Sequence, residues 1–163
     1  GGSTAYRAST SAAVAETVNK ASTAAVLVSS VNPTAYGQAT TLSATVSAIA
    51  PGAGVPTGTV DFMEGTTKLG SATLSGGKAS LVIASLAAGA HGLTAVYVGT
   101  ANYAASTSAV TSQTVNRAAT TATLKSSSNP SRAGRKVTFT ATLATVAPGA
   151  GTPTGAFCMK ASS

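Results

Sequence analysis

Displaced against itself by 97 positions (130 − 33), the chain matches without a gap. Val31-Asn32-Pro33 falls on Ser128-Asn129-Pro130, and Ala-Pro-Gly-Ala-Gly-Val-Pro-Thr-Gly at 50–58 falls on Ala-Pro-Gly-Ala-Gly-Thr-Pro-Thr-Gly at 147–155. Tyr-Arg-Ala-Ser-Thr-Ser-Ala at 6–12 falls on Tyr-Ala-Ala-Ser-Thr-Ser-Ala at 103–109, and roughly 30 of the overlapped positions are identical. Self-similarity at a fixed period marks a repeat architecture. This period is that of a whole small domain, long enough to bury a core of its own. The expected organisation is a window on a longer tandem array. Residues 1–20 read as the terminal strand of a preceding module, 21–117 as a complete module, and 118–163 as the truncated N-terminal part of a following one.

Two internal copies let each substitution report which side of a strand meets water. Thr23, Ala25, Leu27 and Ser29 recur unchanged at 120–126, whereas Val26 becomes Thr123 and Val28 becomes Lys125. An unpaired lysine is not buried, so Ala25 and Leu27 face inward and Val26 and Val28 outward, with the period of two of a half-buried strand. The next segment repeats the pattern. Leu42, Ala44 and Val46 pair with Phe139, Ala141 and Leu143, while Thr41, Ser43 and Thr45 pair with Thr138, Thr140 and Thr142. One face is apolar and the other hydroxylated, as in an antiparallel sheet with one wet side. Val60 and Phe62 match Phe157 and Met159, with Asp61 and Cys158 on the opposite face.

The remaining strands are read in the complete module alone. Glu64-Gly65 reads as a turn between Thr59–Met63 and Thr66–Leu69. Gly76-Gly77 is a two-residue hairpin signal between Ser71–Leu74 and Lys78–Ala84. After Leu86-Ala-Ala-Gly89, the alternation of His91, Leu93, Ala95 and Tyr97 reads as an inward face. A last strand near Ala105–Val115 has an irregular alternation that predicts a bulge. No segment reads as a helix. About seven short strands with turn signals every ~8–12 residues predict an all-β, immunoglobulin-like antiparallel sandwich. The short links Asn19-Lys20-Ala21-Ser22 and Asn116-Arg117-Ala118-Ala119 predict a semi-rigid string of beads, unlike the coil formed by a long Gly/Ser tether.

Composition sets what such a module can do. Val, Leu, Ile and Phe make up only about 18% of the chain, near the level at which disorder sets in. Charged residues are scarce at 8%, so there is no charge repulsion to keep the chain open. The core is therefore thin and built from small side chains. The formal charge of +7 reflects a shortage of acids, which are only Glu16, Asp61 and Glu64. Arg132, Arg135 and Lys136 cluster in one copy, where the other has Ala35, Gln38 and Ala39. Nucleic-acid binding asks for a basic stripe interleaved with aromatics, and this pattern does not supply one. A single cysteine excludes an intrachain disulfide framework, and no apolar run approaches the ~20 residues of a membrane span.

Ser-Ser-Val-Asn-Pro at 29–33, Gly-Gln at 37–38, Thr-Leu-Ser-Ala-Thr-Val at 41–46 and Pro-Thr-Gly-Thr-Val-Asp-Phe at 56–62 together resemble bacterial immunoglobulin-like repeats of the group 3 type. Leu-Ala-Ala-Gly-Ala-His at 86–91, Thr-Ala-Val-Tyr-Val-Gly at 94–99 and Asn-Tyr-Ala-Ala-Ser at 102–106 extend the resemblance in register over nearly the whole chain. The resemblance implies an Ig-like sandwich in a stalk, adhesin or spacer protein outside the cell. The chain departs from the family pattern at 156–163, where Lys160 lacks the Asp-Gly or Glu-Gly that follows in the family.

No residue set stands out as catalytic, cofactor-binding or metal-ligating. His91 is the single histidine, and a Ser–His–Asp triad or a metal site needs partners the sequence does not offer. Its place after Leu86-x-x-Gly89 reads as a structural corner, with a hydrogen bond back to backbone. Asp61 and Glu64 read as a solvated hairpin rather than a glycosidase pair, and three scattered acids are too few for a calcium joint. Cys158 reads as an outward, incidental thiol. Tyr97 reads as a core residue and Tyr103 as a plug over the last loop. Asn32-Pro-Thr and Asn129-Pro-Ser fail as glycosylation acceptors because of the proline. The expected function is a non-enzymatic spacer or stalk repeat of an extracellular or cell-surface bacterial protein, in an adhesion setting. Its expected partners are neighbouring Ig-like repeats of the same chain. The alternative is a module that binds a glycan or a host or cell-surface protein through end loops such as 50–58.

Overall fold

The computed structural model describes residues 4–156 and Cys158. Among the described residues eleven strands run in chain order: β1 (Thr23–Ser29), β2 (Thr34–Ala35), β3 (Thr40–Ala48), β4 (Thr59–Glu64), β5 (Thr67–Thr73), β6 (Lys78–Ile83), β7 (Gly89–Tyr97), β8 (Ser106–Thr107), β9 (Thr111–Asn116), β10 (Thr120–Ser126) and β11 (Phe139–Thr145). Among the described residues there is no helix. One sheet has the order β1-β3-β6. The other has the order β2-β9-β7-β4-β5, with β8 also paired to β7. All pairings are antiparallel except that of β2 with β9.

The period-two reading holds. Ala25, Leu27, Leu42, Ala44 and Val46 are buried, while Val26 and Val28 are more than half exposed. From the facing sheet come Val60, Phe62, Leu93, Ala95, Tyr97 and Val115. Tyr97, Phe62, Leu42 and Leu93 are completely covered. Each fully buried Leu or Phe side chain is worth about 1.5–3 kcal/mol, and these few supply most of what the many alanines cannot.

Three local expectations are revised. Gly76 and Gly77 do make a tight turn, with φ of 59° and 76°, where L-residues with side chains are disfavoured. Yet the turn does not join two strands of one sheet. Only the Ser75–Lys78 bridge closes it, because β5 pairs with β4 and β6 pairs with β3. It is a corner between the layers. The two short segments expected at 66–69 and 71–74 are one strand, β5, running through Gly70. A Cβ at Gly70 would stand 2.9 Å from Leu81 Cδ2, so the missing side chain makes room for the facing sheet. The irregular last strand divides into β8 and β9. Leu93 pairs with Thr111 and Val96 with Thr107, so one extra residue lies on the β8–β9 side. Ser108 fills that gap, its Oγ accepting from Ala95 N at 3.0 Å.

Outside this sandwich the chain is less paired. The strand expected over 5–18 does not form a ladder: residues 7–20 carry no strand or helix and are exposed. Among the described residues β10 and β11 pair only with each other, in the register of β1 and β3 advanced by 97. Thr120↔Thr145, Ala122↔Leu143 and Leu124↔Ala141 repeat Thr23↔Ala48, Ala25↔Val46 and Leu27↔Ala44. Their apolar side is uncovered, with Leu124 and Phe139 56% and 55% exposed. The inward roles read for Phe157 and Met159, and the departure at Lys160, lie outside the described residues.

A two-stranded ladder without a covering layer is marginal in water. Amide hydrogen exchange is therefore expected to be much faster for Thr123 and Thr142, which pair across β10 and β11, than for their counterparts Val26 and Thr45, which pair across β1 and β3. Equal protection in both pairs would show that β10 and β11 are covered in solution.

Candidate functional site

His91, on the inward side of β7, ends at the rim of the sandwich. Its Nδ1–H donates to Glu64 Oε1 at 2.6 Å and its Nε2–H to Ala87 O at 2.8 Å. The backbone bond is the structural corner read from the sequence. The carboxylate is a correction, since Glu64 is not simply a solvated turn residue. Glu64 closes β4 with the same parity as Val60 and Phe62, and that parity was the signal that it faces inward. The His91 side chain is 10% exposed and that of Glu64 35%. The pair is not poised as a base, because the ring nitrogen that would face a substrate is spent on a backbone carbonyl.

Asp61 lies on the outer side of β4, where Lys68 Nζ of β5 approaches its Oδ1 at 2.8 Å. The Lys68 ammonium holds the Asp61 carboxyl below the usual carboxylate range, against a smaller opposing effect of burial, with Ser71 assisting. Asp61 and Glu64 therefore point to opposite faces of β4 and do not work as a pair. Cys158 is exposed. Among the described residues no three His, Cys, Asp or Glu side chains gather as a metal site.

The loop at 50–58, the candidate binding surface, is tied to its own sandwich. Tyr97 Oη donates to Thr57 O at 2.7 Å, and Tyr103 Oη to Ala53 O at 3.3 Å. Leu74 N donates to Gly58 O at 2.8 Å, and Pro56 is fully buried. Both tyrosines thus serve the loop from below, leaving no aromatic platform above it; Val55 is its exposed apolar tip, at 58%. The basic residues Arg132, Arg135 and Lys136 lie together around the turn at Gly134, beside Ser127 and Ser128.

A polar cluster inside the module escaped the sequence reading. Gln113 is completely buried. Its Oε1 accepts from Ser29 Oγ at 2.6 Å, and its Nε2 donates to Val31 O at 3.1 Å and Thr34 Oγ1 at 3.3 Å. Thr40 joins through Ser29 at 2.9 Å. The cluster links the two sheets at one end. Its signal was available: Gln113 has the inward parity of Val115, and the matching position in the other copy, Glu16, is polar too. Next to it, Asn32 clasps β9 at the backbone, donating to Ser112 O at 2.8 Å and accepting from Thr114 N at 2.9 Å. The Asn-Pro step is a strand-ending device, as read.

The model of the bacterial Ig-like domain (group 3) family matches residues 27–116, the span of the closed sandwich. This chain belongs to that family. Among solved structures, one described as "Structures of Clostridium thermocellum CbhA fibronectin(III)-like modules" is similar at 26% identity, covering 56% of this chain and 94% of that one, with a TM-score of 0.43. No curated protein matches the chain. The Ig-like module, all-β and two-layered, has no helix long and apolar enough to cross a membrane among its described residues.

Two predictions follow from the buried polar groups of this Ig-like module. Gln113→Leu keeps the side chain's volume but leaves the Thr34 hydroxyl and the Val31 carbonyl short of a donor. It is expected to lower the unfolding free energy by about 1–3 kcal/mol, measured by urea denaturation. The Glu64 carboxylate first, then the Ala87 carbonyl, raises the His91 pKa above its ordinary value of 6.5, against a smaller effect of burial. A raised folded-state value means that the stabilisation is fully present below about 6.5 and is lost as pH rises through the folded value. Thermal stability should thus decline as the pH rises above about 6.5 in the natural chain. His91→Gln should flatten that slope.

Proposed function

We propose that this Ig-like chain is a spacer or stalk segment of a bacterial surface or secreted protein, acting outside the cell and holding a distal part of that protein away from the envelope in an adhesion setting. The observation that supports this reading most directly is the repetition of the β1–β3 ladder in β10–β11 at an offset of 97, with only Arg117-Ala118-Ala119 between β9 and β10. Like units on short links give reach. Ten residues of strand extend roughly 33 Å, so each unit adds on the order of 30–40 Å to the array.

The character of the surface favours the same reading. The outer faces carry Thr, Ser and scattered Val, and the one histidine and the buried glutamine are consumed by internal hydrogen bonds. Neither is left free to join the converging polar groups that a small-molecule or catalytic site would require. The loop at 50–58 is the best surface for the competing reading, recognition of a glycan or a protein, but its tyrosines and Pro56 are engaged from within.

The full chain is expected to show no saturable binding on a glycan array or to candidate host surface proteins. Saturable binding that is abolished by Val55→Asp, with the fold intact by circular dichroism, would overturn the spacer reading in favour of recognition through the 50–58 loop.

A further inference from the structure

The stretch least changed between the copies is the loop at 50–58 and 147–155, and its two instances have different neighbours. The first is held by its own sandwich. The second reaches back to the copy before it, where Ala150 N–H donates to Tyr36 O at 3.0 Å. Tyr36 lies on the turn after β2, and its own N–H donates at 2.8 Å to the carbonyl of Asn116, the last residue of β9. Tyr36 thus holds the end of one sandwich with its N–H and the loop of the next copy with its carbonyl, straddling the link at 117–119.

The approach is close. A Cβ on Gly37 would stand 2.7 Å from Ala150 O, and the φ of Gly37 is +81°, a conformation that side chains disfavour. On the other side, a Cβ on Gly151 would lie 3.7 Å from the Tyr36 ring. The hydrogen bond is backbone to backbone, so it asks for shape and not for particular side chains. This accounts for a contrast in the repeat. The turn varies from Tyr36 to Ala133 and from Gln38 to Arg135, while its glycine and the Ala-Pro-Gly-Ala-Gly of the loop do not vary.

We propose that the Ala-Pro-Gly-Ala-Gly loop is an inter-module clasp, whose partner is the glycine turn of the preceding copy of the same module. The proposal deepens the spacer reading and rests on it for the presence of that preceding copy. Counterparts at the same offset mark the next joints on either side. Ala53 and Asn19 correspond to Ala150 and Asn116. A cleft of roughly 750 Å³ lined by Asn19, Ala21, Pro51, Gly52, Ala53 and Tyr103 is where the turn of a preceding copy enters. Gly134 corresponds to Gly37. It has nearly the same φ, +75°, but nothing within 4 Å of the place its Cβ would take, and it is the open half of a further clasp. A link of a few residues limits how far two beads part; the clasp also limits how they turn.

The full chain tests this by amide hydrogen exchange read residue by residue in NMR spectra. The Ala150 amide is expected to exchange on the order of tenfold more slowly than the amides of Gly151 and Thr152, as a hydrogen-bonded group should. Gly37→Ala should raise it to their level while β1 and β3 remain protected. Gly134→Ala imposes similar backbone strain where no neighbour exists, and should leave Ala150 slow. Should Gly37→Ala fail to fold, the natural chain still decides through cross-relaxation between the Tyr36–Gly37 and Ala150–Gly151 protons: its presence supports the clasp and its absence overturns it. An Ala150 amide as fast as its neighbours, or one unmoved by Gly37→Ala in a folded chain, overturns it as well. Any of these failures leaves the spacer reading standing, because that reading fails on saturable ligand binding instead.

Discussion

The apolar sides of β1, β3 and β6 find cover only against those of β4, β7 and β9, and everything else in the module depends on that closure. Small residues at Ala25, Ala44, Ala79 and Ala95 bring the two layers close, and Leu42, Phe62, Leu93 and Tyr97 fill what remains. Close packing of this kind tolerates little loss of volume. The contrast within the chain makes the dependence visible. β10 and β11 have the register and the alternation of β1 and β3, yet the positions matching Leu27 and Leu42 are more than half exposed. Local pattern is enough to pair two strands, but the opposing layer is what buries them.

One end of the closed layer pair is finished with polar groups. There Gln113 joins the sheets through Ser29, Val31 and Thr34, and His91, its register partner across β7 and β9, draws together β4, β7 and the corner at Ala87. A buried polar group without partners costs more than its hydrogen bond returns, so these clusters specify one arrangement of the two sheets. They also spend the chain's one histidine on architecture. That expenditure, and the tethering of the 50–58 loop by Tyr97 and Tyr103, is why the surface reads as scaffold.

The sequence copies carried most of the fold. Substitutions such as Val28 to Lys125 oriented the first strand, and the Thr/Ser face of β3 oriented the second; both orientations match the buried side. The corner at Gly76-Gly77 was legible as a turn but not as a change of sheet, because a two-residue turn has the same local chemistry whether its strands pair or part. Glu64 was assigned to solvent from its nearness to Gly65, although its parity with Phe62 pointed inward. Gln113 was passed over because a polar residue on an inward face has meaning only once its partners, about 80 positions away, are known to meet it.

Alternation, glycine turns and a 97-residue period are properties of neighbours along the chain, and from them alone came the class of fold and the orientation of its strands. Which sheet each strand joins, which acid meets His91, what fills the gap beside Ala95 and how one copy touches the next are decided by contacts between residues distant in sequence. Their closure entropy is offset only when the whole core forms, so no local signal records them. The link at 117–119 could be read from the chain; that Tyr36 stands across it could not.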